Sequence, residues 1–216
     1  MRNGVAGPAR VAAFLMQLRS LGIRDLALLQ AVERTPREAF LPPALSGLAY
    51  YDVELPIACG QTAFAPRGLI QRIAVMQLEK RHSILEIGAG SGFQTALLAC
   101  LAKRVYAVER FRTLTDRANA RLAHLGLANA VIRQGDGREG LPEFAPYHRI
   151  FINAAVPEVP AAILTQLADH GRILVPLERK GSCQMLMFQR NDGRMQETIL
   201  GDFSVSAMES TMASVL

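Results

Sequence analysis

The 216-residue chain predicts an α/β fold: a doubly wound, mainly parallel sheet with helices on both faces. Three observations predict it. From residue 83 onward, short apolar runs alternate with amphipathic segments, the pattern of successive strand–helix units. One run, Ser83-Ile84-Leu85-Glu86-Ile87, passes directly into Gly88-Ala89-Gly90-Ser91-Gly92. The next, Arg104 to Val108, ends on an acid, Glu109.

Residues 11–18 and 26–32 carry helical spacing of apolar side chains and predict a small helical N-terminal layer. Pro36, Pro42 and Pro43 punctuate an irregular stretch. Residues 48–65 have no clean period and read as a loop-rich segment over a site. Pro66 suits the first turn of a helix running to about Leu78. Strand 84–87 then precedes helix 92–101, strand 105–108 precedes helix 114–125, and strand 130–133 leads into Gly135-Asp136-Gly137. Strand 150–153 precedes a helix over 161–167, and strand 173–175 follows Gly171. In the tail, 184–189 and 196–203 read as two strands around Asn191-Asp192-Gly193, an antiparallel hairpin at one sheet edge. The expected organisation is a single domain, 1–216. It comprises an N-terminal helical layer and loop (1–65), a core (66–182) and a hairpin with tail (183–216).

No apolar run approaches the roughly 18 residues of a membrane span, and residues 1–10 lack the apolar core of an export signal. These features predict a cytoplasmic protein without a membrane partner. Three cysteines, Cys59, Cys100 and Cys183, form neither a disulfide framework nor a zinc pattern. Cys100 reads as a core residue, and Cys59 as accessible. Four histidines without ligand spacing read as surface or capping residues, so no metal is expected. The net charge of +5 is spread among interspersed acids and bases, with only three lysines, so no nucleic-acid partner is expected.

The glycine run has the physical character of a nucleotide-type cofactor site in a Rossmann-like sheet. Glycines let the backbone approach a ligand with no Cβ in the way. The spacing G-x-G-x-G fits S-adenosylmethionine better than a dinucleotide, because Phe93 stands where G-x-G-x-x-G needs its last glycine. Glu109 suits a ribose diol and repels a 2′-phosphate, or it pairs with Arg110 or Arg112. Asp136 suits an adenine amine, or it stabilises a turn.

Several separated segments, in order, resemble the protein-L-isoaspartate O-methyltransferase family. They are Leu48-Ala49-Tyr50-Tyr51-Asp52 with Leu55-Pro56-Ile57; Gly60-Gln61-Thr62 with Ala65-Pro66; the run Leu85 to Gln94; Val105 to Arg110; Gly135 to Gly140; Asn153-Ala154-Ala155; and Gln166-Leu167 through Pro176. The resemblance implies methyl transfer from S-adenosylmethionine to the α-carboxylate of isoaspartyl residues in damaged proteins or peptides. It implies cofactor contacts from Glu86, Gly88, Ala89, Gly90, Gly92, Glu109, Arg110, Asp136 and Gly137. It places Gln61, Thr62 and Phe64 on the acceptor side.

Phe64 departs from the family, whose loop carries a serine there, and a phenyl ring donates no hydrogen bond. Val205-Ser206-Ala207-Met208 departs from the family's valine–proline–leucine segment. Two further readings therefore stand beside repair: methylation of another peptide carboxylate, and a non-catalytic cofactor-binding homologue. Amino-directed nucleic-acid methyl transfer lacks its proline and aromatic ring at Asn153-Ala154-Ala155-Val156. Metal-dependent O-methylation lacks a carboxylate cluster for Mg²⁺.

Overall fold

The computed structural model describes residues 8–179, 181–202 and 208. Helices α1 (Pro8–Ser20) and α2 (Leu26–Arg34) come first. Asp25 caps α2 by accepting the amides of Ala27 and Leu28 at 2.9 and 3.2 Å, which satisfies two of its free N–H groups. Short antiparallel strands β1 (Leu55–Pro56) and β2 (Thr62–Ala63) follow, then α3 (Pro66–Val75). The alternating part comprises β3 (Ser83–Ile87), α4 (Phe93–Leu101), β4 (Arg104–Glu109), α5 (Arg112–His124), β5 (Ala130–Gln134), β6 (Tyr147–Ile152) and α6 (Ala161–Thr165). It closes with β7 (Leu167–Arg179), β8 (Ser182–Asn191) and β9 (Arg194–Asp202).

The seven-stranded sheet has the order β5-β4-β3-β6-β7-β8-β9. Strands β5 to β7 run parallel, and β8 and β9 are antiparallel to their neighbours. The order reverses between β3 and β6, the place where such sheets leave a crevice at the strands' carboxyl ends. Side chains alternate between two cores. Ile84, Val105 and Phe151 face the core containing Phe14, Leu28, Ile70 and Leu97, while Leu85, Ile150 and Ile173 face the core containing Ile163. The N-terminal helices thus thicken one face of the sheet.

Four expectations change. Residues 48–65 hold the β1–β2 pair, with Leu55 opposite Ala63. Helix α3 stops at Val75, because Gln77 adopts φ +48° and the buried Arg149 draws out the carbonyls of Met76 and Gln77 at 2.6 and 3.2 Å. Helix α6 ends at Thr165, and the residues beyond it open β7, which is 13 residues long and shifts register against β6 between Tyr147 and Arg149. The second hairpin strand is Arg194–Asp202; Phe203, residues 205–207 and the first seven residues lie outside the described part. Among the described residues no helix is long and apolar enough to cross a membrane.

His82 is buried rather than on the surface, at 2% exposure. Its ring stacks on His148 at 5.2 Å, and the two Nδ1 atoms accept the amides of Glu79 and Ser83. Burial, then the Arg149 charge, holds His82 down to about 4, against about 6.5 in an unfolded chain. Between these values the unfolded chain binds the extra proton. The neutral ring's contribution is therefore complete above pH 6.5 and lost as pH falls towards 4. Denaturant titrations at pH 7 and pH 4 should show the wild type losing roughly 2 kcal/mol more than His82→Gln. Equal losses would refute the assignment.

Candidate active site

A cavity of about 290 Å³ opens at the carboxyl ends of β3, β4 and β6. One wall is the turn after β3. The amides of Gly88 and Ala89 both reach the Val108 carbonyl, at 2.8 and 3.3 Å, which ties the turn to β4. Gly90 has φ +55°, and a Cβ built there meets only the Ile57 side chain, at 3.6 Å. The space beyond that bare backbone belongs to the cavity.

Glu109 lines the same wall and is 6% exposed. Its Oε2 accepts the Gly90 amide at 2.8 Å and its Oε1 the Phe111 amide at 3.0 Å. A carboxylate offers about four lone-pair sites, so two amides fix its direction and leave capacity for a diol. Glu86 forms part of the floor and is fully buried. It accepts from Thr95 Oγ1 at 2.6 Å and from Asn153 Nδ2 at 3.1 Å, and Asn153 Nδ2 also reaches the Gly88 carbonyl at 3.1 Å. Burial pushes the Glu86 carboxyl up to about 8, against the pull of those two hydrogen bonds.

The opposite wall is the loop that carries β2. Gln61, Thr62, Ala63 and Phe64 line it. Gln61 Nε2 donates to the Cys59 carbonyl at 3.2 Å, which folds the loop back on itself. The buried Arg37 guanidinium donates to the carbonyls of Ala49 and Phe64, the latter at 2.7 Å. The Phe64 ring lies 4.0 Å from the guanidinium carbon of Arg72, a cation–π distance. Burial brings Arg72 down to about 10, with Glu86 and Glu54 opposing. Phe64 is thus an apolar panel of the wall backed by a buried cation.

Ala89, Arg110 and Gly137 also line the cavity. Two of the expected residues, Gly92 and Asp136, are not among those that line the cavity. Gly92 faces α5, where a Cβ would fall 2.8 Å from Ala118 Cβ. Asp136 is outside the lining, and its carboxylate takes the Arg138 amide at 3.0 Å and Arg138 Nη2 at 2.7 Å. Sequence reasoning gave no site role to Arg37, Phe40 or Gln94, and only Gln94 had a local signal, its place in the first turn after the glycines. Cys100 is half-buried against the core, and Cys59 is half-buried with φ +60°. Among the described residues, Asp169, His170 and Asp192 bring ligand atoms within 4.8 Å of one another. They are exposed and stand towards the amino end of β7, away from the cavity.

The family model for protein-L-isoaspartate(D-aspartate) O-methyltransferase matches residues 9–205. The chain belongs to this family. A protein-L-isoaspartate O-methyltransferase of Azorhizobium caulinodans is 41% identical over 217 residues, covering 100% of both chains. One of Xanthobacter autotrophicus is 45% identical over 175 residues, covering 81% of this chain and 80% of that one. A solved protein-L-isoaspartate O-methyltransferase superposes with a TM-score of 0.84 at 26% identity, covering 94% of this chain and 67% of its own. A family structure from Plasmodium falciparum, in complex with S-adenosyl-L-homocysteine, shares the fold with a TM-score of 0.79 at 18% identity, covering 91% and 97%. Membership fits a cavity in which the glycine turn faces the Gly60-Gln61-Thr62 loop.

The acid at the end of β4 gives a direct test. Glu109→Ala should weaken S-adenosylhomocysteine binding by about 1.5–3 kcal/mol, the worth of a hydrogen bond to a charged acceptor. Calorimetry checks it, alongside thermal unfolding without ligand. A large loss of stability with unchanged affinity would make Glu109 a structural brace.

Proposed function

We propose that this protein transfers a methyl group from S-adenosylmethionine to the α-carboxylate of L-isoaspartyl residues in damaged proteins or peptides. One observation carries the reading. A single cavity joins the glycine turn and Glu109 on one wall to the Gln61–Phe64 loop on the other, so cofactor and acceptor meet in one chamber. The residues present fit the cofactor: bare backbone at Gly90, a diol-capable carboxylate at Glu109, and Gly88 fixed beside Asn153. When bound, S-adenosylmethionine supplies an electrophilic methyl on a sulfonium.

The chain's own part is alignment. The acceptor carboxylate is already ionised at neutral pH, so no strong base is needed. Thr62 and loop amides orient it, and the placement of Phe64 by Arg37 and Arg72 keeps the loop wall in register. Phe40, Leu41, Phe64 and Leu69 keep water from the reacting oxygen. Gly88, Ala89 and Gly90 receive the methionine part, and Glu109 the ribose. We read the chain as one catalytic domain acting in the cytoplasm on isoaspartyl-containing proteins or peptides rather than on nucleic acid.

Labelled S-adenosylmethionine with matched isoaspartyl and aspartyl peptides tests the proposal. The product should be a methyl ester on the isoaspartyl peptide, labile at alkaline pH. Phe64→Ser should leave cofactor affinity unchanged and preserve or raise turnover. Thr62→Ala should lower turnover about ten- to a hundredfold, one charged hydrogen bond. Base-stable label, or no methylation by either wild type or Phe64→Ser, would overturn the reading.

A further inference from the structure

Several side-chain nitrogens in the cavity wall already hold a protein acceptor. Asn153 Nδ2 is held by Glu86 and Gly88, Gln61 Nε2 by Cys59, and the Arg37 guanidinium by Ala49 and Phe64. Gln94 is different. It stands in the first turn of α4, lines the cavity and is 5% exposed. Among the described residues lining the cavity, its Nε2 is the buried side-chain nitrogen with no hydrogen-bond partner. A buried amide donor left without a partner is costly and rare in a native protein.

The partner must be an acceptor, because a primary amide nitrogen only donates. On the turn side the Glu109 oxygens already accept the amides of Gly90 and Phe111, and those of Glu86 accept Thr95 and Asn153, so neither acid is the partner of Gln94 Nε2. The reaction proposed above brings in two carboxylates, that of the cofactor's amino-acid end and that of the isoaspartyl residue. We propose that Gln94 Nε2 is a carboxylate-binding donor of this site. The inference rests on the proposed function for the identity of the carboxylate.

Gln94→Leu removes the donor at similar volume, and Gln94→Glu places an acceptor where the donor stood. Calorimetry with S-adenosylhomocysteine and with 5′-methylthioadenosine, which lacks the amino-acid end, reads one source. KM for an isoaspartyl peptide reads the other. If the cofactor carboxylate is the partner, both variants lose about ten- to a hundredfold in affinity for S-adenosylhomocysteine and stay within twofold for methylthioadenosine. If the acceptor carboxylate is the partner, nucleoside affinities stay within twofold and KM rises at least tenfold with kcat held.

Gln94→Leu within twofold on every measure overturns the proposal. Equal weakening of both nucleosides does so too, since it marks a packing role. A Gln94→Leu protein that fails to unfold cooperatively also overturns it, because removing a partnerless donor should not cost the fold. A wild type that binds S-adenosylhomocysteine yet leaves the isoaspartyl peptide unmethylated refutes the proposed function instead. The nucleoside titrations then decide Gln94, and unchanged values overturn it.

Discussion

Gly90→Val should abolish measurable S-adenosylhomocysteine binding, a loss of at least about a hundredfold, in a protein that still folds. The site explains both halves. A Cβ at Gly90 meets only the Ile57 side chain at 3.6 Å, so the apo protein has room for it. The cost to the fold is the left-handed backbone at φ +55°, at least about 1–2 kcal/mol and more for a β-branched side chain. A branched side chain there projects into the cavity. It also disturbs the 2.8 Å bond from the Gly90 amide to Glu109, which aims the carboxylate. Calorimetry and circular dichroism together check the outcome. Near-normal affinity in a folded Gly90→Val protein would remove this wall from the cofactor site.

Two residues along, the effect should switch from ligand to fold. Gly92 has φ +86°, and its Cβ would fall 2.8 Å from Ala118 Cβ on α5. Left-handed strain and overpacking together predict a stability loss of about 3 kcal/mol for Gly92→Ala. For a chain of this size that lowers Tm by about 6–12 °C. Adding Ala118→Gly removes the atom that is struck, so the double variant should regain part of the loss, a coupling between neighbours that thermal unfolding reads. Cofactor affinity should change far less than in Gly90→Val. If Gly92→Ala is fully stable, or Ala118→Gly only adds to the damage, the close approach of α4 to α5 is not what requires this glycine.

These contrasting glycines show what a sequence conveys. The pattern G-x-G-x-G marked the turn, but not which glycine faces the cavity and which faces a helix. That division depends on α5, whose Ala118 follows Gly92 by more than twenty residues. The central strands were legible because burial on both faces gives unbroken apolar runs such as Ile84-Leu85 and Ile150-Phe151-Ile152. The start of β7 was not, because Ala168-Asp169-His170-Gly171 lacks alternation where the register shifts. Glu109 was legible from its place at the end of a strand. Arg37 was not, because its two acceptors, at Ala49 and Phe64, are backbone atoms with no signature of their own. Phe64 stood out as a departure in a loop, whereas the guanidinium behind it became visible only when α3 was placed.

The hydrogen bonds that Asn153 makes to Glu86 and Gly88 also set a schedule. Synthesis is vectorial, and β3, β4 and β5 leave the ribosome before β6, although β6 belongs beside β3 at the centre of the sheet. Until β6 inserts, Glu86 lacks the amide that helps satisfy it, and the glycine turn lacks one of its supports. A nascent chain stopped before Asn153 therefore has the glycine motif without a finished pocket. The wall of the pocket is thus complete only when the last-made of the two central neighbours, β6, is in place beside β3.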